Sequence, residues 1–225
     1  MPMLKPAGGD TRSDETSITS ALAVADRWRD RGRWDDAAAL LRAIRPVVRE
    51  RAPDREPEVL VELVRVLNAQ DFLQGYRNGA EVRTLLGELD AAADATADPR
   101  LRGAVLHERA VHLHLRYFTD GGDPEREREL LDEAIEVRRA AGDRRGEAMS
   151  TFYRGCVDHV IHADSASGER WFRTVLRMGA ELEDAVVQSY AERHLGQIEQ
   201  ERGDLDGALE RLSASLRLRE EAGWY

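Results

Sequence analysis

Two distant stretches of this chain repeat nearly the same pattern. DRGRWDDAAALL runs from Asp30 to Leu41, and ERGDLDGALERL runs from Glu201 to Leu212. Arg, Gly, Asp, Ala and Leu fall at matching places. A second echo pairs AIEVRRAAG (Ala134 to Gly142) with SLRLREEAG (Ser215 to Gly223), and WFRTVLRM (Trp171 to Met178) gives a weaker third copy. A period of about 40 residues that holds two helices points to a solenoid, in which each unit buries its apolar face only against its neighbours.

The repeated letters have mechanical roles. Gly32 and Gly203 stand where a first helix must end and the chain turn, which a residue without Cβ permits. Asp204 follows as a candidate N-cap. Ala37 and Ala208 fall where two antiparallel helices come close, and Leu41 and Leu212 lock the pair one turn on. Asp98-Pro99 and Asp123-Pro124 place a capping residue before a proline at the first helical position. Pro46 is expected to stop or kink its helix. These signals predict five antiparallel hairpins: 17–31 with 34–45, 57–76 with 80–96, 99–118 with 124–141, 144–162 with 166–179, and 183–201 with 205–221. Residues 1–16, without an apolar run, read as a flexible N-terminal tail, and 17–225 as the repeat domain.

HLGQIEQERGDLDGALERLSASL, from His194 to Leu216, resembles the tetratricopeptide repeat (TPR) family in its Leu-Gly step, its Gly-Asp turn and its small residue in the second helix. Segments such as AAGDRRGEA and LREEAG look like the TPR arrays of actinobacterial regulators. The resemblance covers about two-thirds of the chain by the repeat criterion. It implies an all-α TPR-like α-solenoid whose first helices line a concave groove. Pair two lacks the Gly-Asp turn, hairpins three and four have longer turns, and an irregular superhelix is expected there.

Composition narrows the function. Ala, Leu, Glu and Arg, all good helix formers, dominate, and strand-like alternation is hard to find. The net charge of -10 argues against direct binding to nucleic acid. With Lys5 as the only lysine, the many arginines read as genomic background before they read as function. Cys156 is the only cysteine, which excludes an internal disulfide and suits a reducing, cytoplasmic setting. No apolar run is long enough for a membrane helix.

No phosphate-binding loop, dinucleotide fingerprint, nucleophile elbow or HExxH helix is present, so no catalytic residue, cofactor or metal is assigned. All 6 histidines fall in the first helices of hairpins three to five. Aligning Ala110, Gly155 and Gly196 as one close-contact step puts His107, Phe152 and Arg193 at one level, and His114, His159 and Gln200 at another. The inferred groove presents His107, His114, His159, Arg193, Gln197 and Gln200, with Tyr190 at its rim. Histidine, arginine and glutamine supply donors to a peptide or an acidic ligand, with binding expected to vary with pH. The same histidines also fit a structural role in the core. His159 and His162, three apart, match a weak metal spacing, and Cys156 reads as a small packed apolar residue.

The expected function is therefore a protein- or peptide-binding module using the concave groove of hairpins three to five. Two alternatives stay open: a small-molecule enzyme or receptor with a histidine-lined groove, and a regulatory fragment of a larger actinobacterial transcriptional activator. The sequence stops at Gly223-Trp224-Tyr225, directly after a second helix. Leu216 and Trp224 are therefore expected to be covered by a partner or by a second copy in a homo-oligomer.

Overall fold

The computed structural model describes residues 11–224, and all its regular structure is helical. Ten α-helices follow one another: α1 Thr11–Asp30, α2 Trp34–Arg51, α3 Glu56–Gln74, α4 Gly79–Thr96, α5 Pro99–Tyr117, α6 Pro124–Ala140, α7 Arg144–Cys156, α8 Ser165–Glu181, α9 Ala185–Glu201 and α10 Leu205–Glu221. They pair as the five expected hairpins. Helix α1 already begins at Thr11, inside the stretch read as tail, and residues 1–10 lie outside the described residues.

The Gly-Asp turn works through two hydrogen bonds. After α9, Gly203 takes φ +81°, a left-handed conformation that a side chain would strain. The Asp204 N–H then donates to the Glu199 carbonyl at 3.0 Å, closing α9. The Asp204 carboxylate accepts the Gly207 N–H at 3.0 Å, opening α10. One residue thus closes one helix and caps the next. The same pairing recurs at Asp143, which bonds the Arg138 carbonyl and the Gly146 N–H, and at Asp184, which bonds Gly179 and Val187. Asp98, Asp123 and Asp164 cap α5, α6 and α8.

The first two hairpins are built differently. Helices α2, α3 and α4 have no side-chain cap. In hairpin two, Asp71 near the end of α3 organises the turn instead, accepting from the Arg77 and Asn78 N–H groups, each at 3.0 Å. Helix α2 continues through Pro46 to Arg51, so the expected stop does not occur. Pro46 lies on an exposed face, where water can satisfy the carbonyl freed by its missing N–H. The turn of hairpin four is short, because α7 runs on as a π-helical turn, Val157–Ile161, up to the linker that opens α8.

Packing sets the curvature. Each helix packs on the next in sequence, and the first helices also touch one another in order: α1 with α3, α3 with α5, α5 with α7, α7 with α9. The second helices show no comparable packing, so they splay outward and the first helices line the inner face. The close steps behave as expected: a Cβ on Gly155 would come within 2.8 Å of Phe172 and 2.9 Å of Trp171. Ala37 and Ala208 are buried between their helices. Leu41 is fully buried, whereas Leu212 is half-exposed because none of the described helices covers the outer side of α10.

Candidate functional site

The inner face carries a polar spine that changes character along the array. In its first half, charges neutralise one another across helices. Arg29 of α1 pairs with Glu62 of α3, Arg65 pairs with Glu62 at 2.8 Å and with Glu108 of α5 at 3.1 Å, and Asn68 donates to Glu108 at 3.1 Å. Glu62 and Glu108 are buried, and burial pushes the Glu62 carboxyl above its usual range.

From α5 onward the spine becomes a run of rings. Tyr153 of α7 stands edge-on to both His107 and His114 of α5, at 5.4 and 5.7 Å between centroids. Phe152 meets Tyr190 at 4.9 Å and His194 at 5.1 Å. His194 meets His159 at 5.9 Å, and Tyr190 meets Trp224 at 5.1 Å. Rings at these separations contribute beyond simple area burial.

His107, His114 and His159 are therefore brought to one connected layer, but below its surface. Each is buried and already bonded: His107 Nδ1 to Ser150 Oγ at 3.1 Å, His114 Nδ1 to Glu127 Oε1 at 2.8 Å, His159 Nε2 to Glu201 Oε1 at 2.9 Å. The π-helical turn delivers His159, and a turn with an extra residue per hydrogen-bond ring re-aims a side chain without ending the helix. His162 points away to solvent near Glu125, so the 159/162 spacing does not converge on a metal. Among the described residues, no group of three or more His, Cys, Asp or Glu is arranged to hold one. His112 sits off this layer, beside the Tyr76 hydroxyl at 3.4 Å.

Protonation follows burial. His194 is lowered to about 3 and His112 to about 4, each mainly by burial; beyond that, His159 and Arg193 act on His194, and Arg83 and Arg116 on His112. Burial, with Arg138 and Arg65, also lowers His107 well below the ordinary imidazole value. These three rings are neutral at pH 7. Cys156 packs as an apolar residue, and burial pushes its thiol up.

Two arginines stand out. Arg193 of α9 is exposed and has no carboxylate partner among the described residues. Arg219 of α10 lies over Trp224 at 4.5 Å and Tyr190 at 5.9 Å, and its Nε and Nη2 are shielded from solvent without a hydrogen-bond partner. Burial, then the charge of Arg193, pulls the Arg219 guanidinium below its usual value. Gln197 is half-buried and Gln200 exposed on α9. Sequence reasoning missed Tyr153 and did not place Arg219 or Trp224 beside the groove. The last two lie beyond the first helices, although a tryptophan directly after the closing Gly223 was a visible signal.

Trp224, expected to be covered by a partner, is instead half-buried by its own chain against Tyr190 and Arg219. No protein-family model matches the chain, and no curated protein matches it. Among solved structures, it is similar to a putative kinesin light chain of Podosopora anserina with nearly identical TPR-like repeats. That structure matches at a TM-score of 0.53 and 18% identity, covering 92% of this chain and 96% of that one. A single-substitution variant of the same protein matches at 0.55 and 17%, with the same coverage. The fold is TPR-like.

Proposed function

We propose that the chain is an interaction module that holds a protein or peptide segment along the inner face of hairpins three to five. The observation that carries this reading is the pair Arg193 and Arg219, which lack a carboxylate beside the aromatic lining of Tyr190 and Trp224. Elsewhere on the inner face, as at Arg29 and Arg65, the arginines are matched by buried acids. A guanidinium without a partner in a half-buried place gains most from a carboxylate, through a charge-assisted hydrogen bond.

Contact falls to Tyr190, Arg193, Gln197 and Gln200. His107, His114 and His159 form the floor beneath them and hold α5, α7 and α9 in register. Burial keeps His107 of that floor neutral, so recognition of an acidic group rests on the arginines. The lone buried thiol fits a module working in the cytoplasm.

Fluorescence anisotropy against extended peptides of equal length, carrying acidic, neutral or basic side chains, tests the reading. The acidic set should bind best, and Arg193→Ala should weaken it at least tenfold, about 1.4 kcal/mol. Arg173→Ala on the outer face should leave it unchanged. Equal binding of all three sets, or an Arg193→Ala variant that binds like the parent, would refute it.

A further inference from the structure

The outer side of α10 carries Leu205, Leu209, Leu212 and Leu216. Leu205 and Leu209 are each 67% exposed, Leu216 58% and Leu212 36%. Steps of four, three and four residues keep all four leucines on a single stripe of a helix.

The matching faces of α2, α6 and α8 are covered by their neighbours, whereas none of the described helices covers this face of α10. Counting from the N-cap of each helix, Leu212 and Leu216 correspond to Leu131 and Ile135 in α6 and to Phe172 and Leu176 in α8. Those positions are buried or half-buried inside the array, where the next first helix packs on α6 and on α8. The places of Leu205 and Leu209 hold the half-buried Pro124 and Arg128 in α6, the half-buried Ser165 and Glu169 in α8, and the half-buried Trp34 and buried Ala38 in α2.

We infer that the leucine stripe of α10 is a self-association surface, covered by the α10 of a second copy running antiparallel. The four-three-four spacing reads the same in both directions, so an antiparallel copy presents a matching stripe. The flank beside the stripe is self-complementary as well. Asp206 lies near its start and Arg217 near its end, both exposed and neither in an ion pair with the described residues of its own chain. In an antiparallel pair, Asp206 of each copy faces Arg217 of the other. A two-fold axis through the centre of the stripe closes the assembly at two copies.

Sedimentation equilibrium over a concentration series, with three variants, tests this. The parent chain should reach twice the monomer mass, and Leu209→Glu should return it to monomer with its helicity intact. Asp206→Arg and Arg217→Glu should each weaken association by about tenfold or more when alone. Mixed one to one, these two variants should form a heterodimer, since both inter-copy contacts then join opposite charges on one side and the repulsive pairings of each homodimer are avoided. Four results would overturn the inference: a strict monomer at the highest concentration, a dimer indifferent to Leu209→Glu, open-ended growth beyond two copies, or charge variants that are not rescued by mixing.

Discussion

Hairpins one and two are held by contacts between helices, and hairpins three to five by contacts within each turn. From α5 to α10 every helix starts at an aspartate whose carboxylate accepts a backbone N–H two or three residues on. From α2 to α4 no side chain does this, and the buried acids Glu62 and Glu108, paired with Arg29 and Arg65, tie α1, α3 and α5 together. Both halves reach the same stacked architecture. Local caps fix where each helix begins and leave the inner face free to carry unpaired groups such as Arg193. A cross-helix ionic network uses up the charges of the inner face in holding the stack, which leaves the first half poor in unmatched groups to offer a ligand.

The largest expected effect comes from breaking that network. Glu108 is buried and accepts from both Arg65 and Asn68, so Glu108→Ala leaves charge and amide groups short of a partner. Removing one member of a buried ion pair typically costs about 3–5 kcal/mol. Denaturant unfolding should show a loss of this order, larger than deletion of any one cap. A loss below about 1 kcal/mol, the typical worth of an exposed pair, would mean that the network contributes no more than surface charges do.

A second effect separates the halves by pH. His112 and His194, lowered to about 4 and about 3, take up protons in the unfolded chain before the folded one does. Their contribution to stability is therefore complete above about pH 6.5 and is lost as pH falls toward about 4 and 3. Glu62 and Glu127, raised by burial, act with the opposite sign in the same acid range. The His194→Gln variant should flatten the acid side of the stability profile, and NMR should show the His112 and His194 rings still neutral at about pH 5. A ring that titrates near its ordinary value, about 6.5, would show that its site is wet.

How much of this could be read in advance depended on distance along the chain. The five hairpins and the roles of Asp98, Asp123 and Asp204 were legible, because caps and left-handed glycines act within a few residues. The passage of α2 through Pro46 was not, because it depends on which face of the helix meets water. The shared layer of His107 and His114 followed from their seven-residue spacing. Their burial did not, since Ser150 lies 43 residues from His107 and Glu201 lies 42 from His159. Arg219 and Trp224 could not be placed from the first helices alone, because the end of α10 folds back over Tyr190.

The smallest effects test whether the two halves can exchange devices. Asp123→Ala removes one clean cap, a 3.0 Å bond from the Arg126 N–H on an exposed turn, and should cost about 1 kcal/mol. Arg33→Asp attempts the reverse, placing a capping residue ahead of α2. It gains a bond of the same kind but gives up the Arg33 guanidinium, which lies 4.6 Å over Trp28 and bonds Asp36 at 2.8 Å. An exposed cation–π contact is worth about 0.5–1 kcal/mol, which nearly cancels the new cap. The added aspartate also stands beside Asp35 and Asp36, a repulsion that offsets their favourable place at the helix start. Thermal unfolding of Arg33→Asp should therefore move by no more than a degree or two, against several degrees lost in Asp123→Ala. A clear gain in Arg33→Asp would mean that the first hairpin lacks only a cap, and that the ionic network is not what replaces it.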